Sequence, residues 1–342
     1  MTKYRLIETL LGLCTAILVF AALYFARSIL APIAFSLFII AIVWPLQSTL
    51  QARISKPFAL AITIVVTAVF VTVLMSLIIW SFGIVGHWLF ENATRFQTLY
   101  TQATHWLEGH DIFVTDALSE YFDVNWLIRA FKQLTGRLHG LVTFAVVTLM
   151  FLLLGLLEVE TTRGKLESLR NKKLGQDLVR ATKMIAAKFR KFILVRSAMC
   201  VMTGIVIWGF AWIVGFEFAS ALGIIAFALN YIPFIGPFVA TVLLTLFAIA
   251  QSESWELAVI VFIYLSSIQF LTGYLEPRVA GATLSVSPFI DLFAVFFWMI
   301  LWGIPGAFIG VPMVIAVLTI CDQFSSTRWI AELFSGRESA RA

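Results

Sequence analysis

Apolar residues run along this chain in long blocks, and the block lengths predict its elements. Leu6 to Phe25 is long enough to cross a bilayer as a helix, which takes about 20 residues. A tight connection, Arg27 to Pro32, leads to a second span ending near Trp44 and Pro45, so the two form a helical hairpin. After a loop with Arg53 and Lys56, Phe58 to Val85 is a third apolar run. Polar residues dominate from His87 to Arg137. There Phe96, Leu99, Ala103 and Trp106, and again Leu127, Phe131, Leu134 and Leu138, recur at helical spacing, which predicts a small cap of two or three amphipathic helices. Leu141 to Leu157 returns across the membrane. From Glu158 to Arg196 the apolar positions Leu174, Leu178, Ala181, Ile185, Phe189 and Phe192 recur three and four apart. Lys172, Arg180, Lys183, Lys188, Arg190 and Lys191 fall mostly on other faces, predicting a basic amphipathic helix lying on the inner leaflet.

The second half is organised around Asn230-Tyr231-Ile232-Pro233-Phe234-Ile235-Gly236-Pro237, helix-breaking sequence set inside apolar sequence. About 14 residues lie between Phe218 and Tyr231, and about 14 between Phe238 and Gln251, each short of a full crossing. Those lengths fit a re-entrant hairpin better than two crossings; a turn between two spans is the alternative reading. Ser197 to Gly215 precedes this hairpin and Trp255 to Gly273 follows it. Then Ser287 to Trp302 and Ile304 to Cys321 form a second apolar pair, divided by Gly303-Ile304-Pro305-Gly306 and long enough for either reading. One span separates the two pairs, so they approach from opposite faces, the inverted repeat in which secondary transporters place a midplane site. A weak echo, Ile232-Pro233 with Gly236 against Ile304-Pro305 with Gly306, accompanies that topology.

Composition fixes the class. Of 342 residues 61% are hydrophobic and 13% charged, and the mean hydropathy is +0.97, beyond what a soluble core explains. The expected fold is an all-α polytopic membrane protein of about seven to eight spans, including two broken or re-entrant hairpins in an inverted repeat. Met1 to Arg5 carries signal-peptide-like charges, but the run after it is too long and has no small-residue cleavage site, so it reads as the first span. Glu158 to Arg196 holds eleven of the 24 Lys and Arg residues against four acids, which predicts a cytoplasmic location. The resulting division is 1–86 membrane helices, 87–137 extracytoplasmic cap, 138–157 membrane helix, 158–196 cytoplasmic basic helix, 197–322 transport core and 323–342 cytoplasmic tail. Both termini are expected in the cytoplasm. The net charge of +5 is concentrated in loops, which speaks to topology and anionic lipid; nothing in it is specific to nucleic acid. Cys14, Cys200 and Cys321 all fall in apolar segments and read as small core residues.

Few residues here carry chemistry. Glu276-Pro277-Arg278 follows a span that Pro277 is expected to end, and Glu276 and Arg278 either form an interfacial ion pair or gate a polar solute. Asp291 stands in an apolar run with no charged neighbour in sequence. Its carboxylate costs several kcal/mol unless it is protonated, paired or facing water, which suits a proton-coupling group or a hydrated interfacial one. Asn230 either turns its amide toward a solute or cation or caps broken backbone. Glu217 and Glu256 border spans. The four histidines, His87, His105, His110 and His139, lie in or beside the cap without a closed ligand set, so no metal or other cofactor is expected. Nucleotide-binding loop, HExxH and nucleophile elbow are absent from the sequence, and no enzyme is expected.

At Asn230 to Pro237, at Glu276-Pro277-Arg278-Val279-Ala280-Gly281 with Leu284-Ser285-Val286-Ser287-Pro288, and at Phe297-Trp298, Leu301-Trp302-Gly303, Gly306 and Val311-Pro312, the chain resembles the autoinducer-2 exporter family of bacterial inner-membrane permeases. The resemblance implies a seven- or eight-span permease, homo-oligomeric with a pentamer among the forms, exporting small polar molecules. Some relatives are described as cation/proton antiporters. Signature positions of the family map onto Asn230, Pro233, Gly236, Pro237, Glu276, Pro277, Gly281, Pro288, Gly303, Gly306 and Pro312, whereas the position of Asp291 is often apolar. The expected site is therefore Asn230, Pro233, Gly236, Glu276, Arg278 and Asp291 for solute or coupling ion, with Pro237, Gly281, Pro288, Gly303, Pro305, Gly306 and Pro312 at hairpins and hinges. The expected partners are a small polar solute, a proton or sodium ion, membrane lipids and further copies of the chain. A membrane scaffold acting through its basic helix and cap is the competing class, though a scaffold has no need of two broken hairpins.

Overall fold

A computed structural model describes residues 2–92, 124–252, 255–281 and 286–334, and these are helical almost throughout. In chain order the helices are α1 Thr2–Phe25, α2 Arg27–Gln51, α3 Lys56–Glu91, α4 Val124–Glu167, α5 Lys172–Val214, α6 Ala219–Leu229, α7 Ile235–Ser252, α8 Trp255–Ala280, α9 Pro288–Trp302, α10 Ile304–Gln323 and α11 Arg328–Phe334. Among the described residues 7 helices, α1 to α5, α8 and α10, are long and apolar enough to cross a membrane, while α6, α7 and α9 are apolar but shorter. In hydrocarbon a backbone with no water to bond must satisfy itself internally, and helices do so. The chain is thus an all-α, multi-pass membrane protein. With 11 and 15 residues, α6 and α9 reach about 16 and 22 Å, well short of the ~30 Å hydrocarbon layer.

Several boundaries differ from the sequence expectation. Arg27 to Pro32 is no connection: α2 starts at Arg27 and continues through Pro32 and Pro45 to Gln51. Most of the expected cap, residues 93–123, lies outside the described residues. Its last part, 124–137, is continuous with the following span in the 44-residue α4. The basic segment is not a separate surface helix. It breaks after Glu167 and resumes at Lys172 in the 43-residue α5, which runs without interruption into the next span. Nor does Pro277 end its span, because α8 continues to Ala280. Of the cysteines Cys200 is buried and Cys321 half-buried, but Cys14 is exposed on α1.

Packing divides the chain into two compact units, Met1–Ala68, Phe144–Ile193 and Ala280–Ala342 forming the first and Val69–Thr143 with Leu194–Val279 the second. The first contains the α9–α10 hairpin. Gly303, at φ +70, turns the chain in a single residue, and a Cβ on Gly306 would lie 1.9 Å from the Trp298 carbonyl oxygen. On Gly310 it would lie 2.7 Å from that of Ala294, so the two backbones touch, as small residues allow in membrane helix pairs. Trp302 Nε1–H donates to the Leu23 carbonyl at 3.1 Å and ties α9 to α1. The survival of α2 through Pro45 has a visible cause. Proline has no N–H for the Ala41 carbonyl one turn back, and Arg190 Nη1 donates to that oxygen instead, at 3.0 Å. Two residues earlier, Lys188 Nζ donates to Thr319 Oγ1 at 2.8 Å.

In the second unit the α6–α7 hairpin sits in the core. Leu222, Ile225 and Ala226 of α6 and Leu244, Phe247 and Ala248 of α7 pack with Phe82 and Val85 of α3, Ile207 and Ala211 of α5, and Val261 and Leu265 of α8. Phe247 is fully buried with the Trp88 ring at 4.5 Å. Since lipid is as apolar as leucine, close packing holds such a unit. Backbones also come close at the α5–α6 crossing, where a Cβ on Gly204 or Gly223 would come within 3.0 Å or 2.8 Å of the other's carbonyl oxygen.

Candidate functional site

Two helix faces of the second unit change character toward one end. On α5, Ala211 and Ile207 give way at helical spacing to Thr203, Cys200 and Arg196, all buried. On α8, buried Val261 and Leu265 give way to Gln269, Thr272 and Glu276 along the same face. The α6–α7 break lies at this polar end. α6 stops at Leu229; Asn230 caps it in αR conformation, and the turn closes at Phe234, whose φ of 62° is left-handed. A bulky residue rarely adopts that conformation and is strained there by about 1–3 kcal/mol, so the surrounding contacts hold the turn.

Arg196 is the centre of those contacts. Its Nη2 donates to the Asn230 carbonyl, and its Nη1 donates to Glu276 Oε2 at 2.5 Å. The Arg196 side chain is 8% exposed and that of Glu276 27%, so this is a largely desolvated pair. A desolvated pair adds little net stability, yet removal of one partner costs about 3–5 kcal/mol because the other charge is left buried. The guanidinium also faces the carbonyl end of α6, where the helix dipole favours a cation. On the next residue, Ser197 Oγ accepts from the Tyr231 hydroxyl at 2.8 Å. Adjacent α5 residues thus hold adjacent residues of the break. Among the described residues Arg196 Nε, Asn230 Oδ1 and both amide atoms of Gln269 are buried and have no hydrogen-bond partner. Each such group costs about 1–3 kcal/mol when nothing bonds it.

Asn230 and Glu276 are therefore brought together, through Arg196, which by sequence alone belongs to the basic flank. Pro233, Gly236 and Pro237 surround the same break, and a Cβ on Gly236 would lie 1.8 Å from the Leu229 carbonyl oxygen. Arg278 does not pair with Glu276; it stacks over the Tyr274 ring at 3.9 Å. The remaining expected residues belong to the first unit. Gly281 turns the chain at φ +68, Pro288 opens α9, and Asp291 is half-buried in the first turn of α9, where its N–H donates to Ser287 O at 3.0 Å and the dipole favours a carboxylate. Gly303, Pro305 and Gly306 form the second break, and Pro312 lies within α10. Among the described residues no group of three or more His, Cys, Asp and Glu side chains could hold a metal.

Broken apolar hairpins in a multi-pass helical protein, with a buried charged cluster at one break, define a membrane transport protein in architecture. Residues 13–326 match the model of the AI-2E family transporter, and the chain belongs to that family. It is similar to the AI-2 transport protein TqsA of Escherichia coli K12, 27% identical over 96% of this chain and 95% of the relative. A protein of Borreliella burgdorferi, provisionally named for transport, is 30% identical over 62% of this chain and 58% of its own length. YhhT of Escherichia coli K12, also provisionally named for transport, is 22% identical over 89% of this chain and 87% of its own.

Proposed function

We propose that this protein is a secondary transporter that moves a small polar solute out of the cell across the bacterial inner membrane, coupled to a proton or sodium gradient. The observation that carries the reading is Arg196, which holds the broken end of α6 and Glu276 at once, beside buried polar atoms that have no hydrogen-bond partner among the described residues. Paired as they are, arginine and glutamate sum to no net charge, which suits a neutral solute rich in hydroxyl or carbonyl groups. TqsA is named for AI-2 transport, and AI-2 is the first solute to assay. In this reading a proton on Glu276, or a sodium ion beside it, weakens its hold on Arg196 and leaves the guanidinium on the Asn230 carbonyl alone. The α6–α7 hairpin is then free to move, and Asn230 and Gln269 bond the solute. Both hairpins are re-entrant in this proposal, Asp291 is a second coupling carboxylate, residues 158–196 and both termini are cytoplasmic, and the working form is a homo-oligomer.

The test is flux in proteoliposomes with imposed proton or sodium gradients and AI-2 inside. Wild-type protein is expected to move solute faster under one gradient than under none. Glu276→Gln is expected to abolish that acceleration while the protein elutes as wild type does by size exclusion. Gradient-driven flux undiminished in Glu276→Gln overturns the role of the pair, and no gradient-dependent flux of any polar solute from wild-type protein overturns secondary transport.

A further inference from the structure

The α4–α5 corner carries a second polar feature, in the first unit. Glu167 at the end of α4 and Lys172, Gln176, Arg180, Lys183 and Met184 of α5 line one cleft. Lys172, Gln176, Arg180 and Lys183 recur at four, four and three, which sets their heads along a single stripe of α5. The cleft is fixed rather than a gap between loose ends. A Cβ on Gly175 would lie 2.3 Å from the Leu166 carbonyl oxygen, so α5 starts in backbone contact with α4, and Asn171 Oδ1 accepts from the Leu174 N–H at 3.2 Å. Glu167, the acid in the wall, already accepts from Arg163 Nε at 2.9 Å within its own helix. Among the described residues Lys172, Arg180 and Lys183 make no ion pair or hydrogen bond. Three cations held on one side of a cleft repel one another and are matched by an anion with several acceptor oxygens.

We propose that this cleft binds a phosphate-bearing anion, the phosphate oxygens accepting from Arg180, Lys183, Lys172 and the Gln176 amide. A carboxylate offers two oxygens to four donors; a free phosphate or phosphate monoester offers three or more, and a phospholipid's phosphodiester offers two unesterified oxygens with ester and headgroup oxygens beside them. The group comes either from an anionic phospholipid, whose chains would follow the apolar surface past Met184, or from a soluble phosphate. The proposal does not depend on the transport reading.

Full-length protein in a neutral detergent at constant ionic strength is titrated with dioctanoyl phosphatidylglycerol, inorganic phosphate or dioctanoyl phosphatidylcholine, and the melting midpoint is followed. Wild type is expected to be stabilised saturably by phosphatidylglycerol or phosphate and not by the zwitterionic lipid. Affinity should fall about fivefold for Arg180→Gln or Lys183→Gln and about thirtyfold for the pair, while Lys173→Gln, outside the cleft, binds as wild type. Saturation by phosphatidylglycerol alone assigns a lipid headgroup; saturation by phosphate assigns a soluble phosphate group. Absence of a response to both, or equal affinity in the double variant, overturns the site.

Discussion

Gly236→Ala tests how the first hairpin is held. The added Cβ would stand 1.8 Å from the Leu229 carbonyl oxygen and 2.6 Å from its carbon, and neither backbone atom can rotate away as a side chain does. Opening that gap from 1.8 Å to at least 3.0 Å displaces the Leu229–Asn230 peptide, or the start of α7, by about 1.2 Å. Asn230 O is the acceptor of Arg196 Nη2, so the same movement strips a charged donor from a buried carbonyl. Overpacking costs about 1–3 kcal/mol and the charged hydrogen bond about 1.5–3 kcal/mol, while alanine returns up to about 1 kcal/mol of helix propensity. The net expectation is a loss of about 2–4 kcal/mol. Gly209→Ala on α5 is the matched control, because its Cβ would meet nothing within 4 Å and only the propensity gain remains. Stability is read by denaturant titration of purified protein, and flux per folded molecule in proteoliposomes is read beside it. Flux should fall further than the folded fraction, since the displaced peptide is the one Arg196 grips. Equal stability of the two alanine variants, to within about 0.5 kcal/mol, would refute the reasoning.

Arg190→Leu should cost about 1–3 kcal/mol by orphaning the Ala41 carbonyl, and clearly less once Pro45→Ala has restored the backbone donor; the same cost in both backgrounds removes Arg190 from that role. Asp291→Asn keeps size and polarity but removes a titratable proton, so gradient-driven flux should drop while downhill exchange of solute persists; unchanged flux and pH dependence in liposomes make Asp291 interfacial. A cysteine introduced at Lys172 should resist a membrane-impermeant thiol reagent applied to sealed cells, while one at Glu108 reacts, and labelling at Lys172 reverses the proposed orientation.

Block length and hydropathy were enough to read the class, the long apolar helices and both breaks, because apolar spans of fixed length leave their mark on every residue they contain. Boundaries at prolines were harder. Pro45 and Pro277 read as helix ends, yet α2 and α8 run through them. For Pro45 the compensation comes from Arg190, in a segment remote in sequence, and no local pattern announces it. Arg196 was hidden differently. It closes a segment holding eleven cations and by composition belongs to the positive flank, although Cys200, Thr203 and Ile207 after it mark the buried face of α5. Reading the apolar phase of α5 backward through the basic segment would have singled it out from Lys191 and Arg190. Gln269 carried no sequence signal beyond lying seven residues before Glu276.

The two hairpins solve one steric problem with the same three residue types in the first turn of the returning helix. α7 opens Ile235-Gly236-Pro237 and α10 opens Ile304-Pro305-Gly306, so the counterpart of Pro305 is Pro237 rather than Pro233. Proline loses no hydrogen bond in a first turn, and each glycine admits a carbonyl of the preceding helix, Leu229 at 1.8 Å from the absent Cβ and Trp298 at 1.9 Å. The turns themselves differ. At the second break Gly303 alone separates the helices, its N–H donating to Met299 O and its carbonyl accepting from Ala307, so the reversal satisfies its own backbone. The first break takes residues 230–234, includes a left-handed Phe234, and leaves the Asn230 carbonyl to a side chain. A cation is therefore needed at the first hairpin and not at the second. Because that cation is shared with Glu276, a change of charge at one carboxylate reaches the first hairpin's backbone directly, whereas the second hairpin has no such handle within its turn.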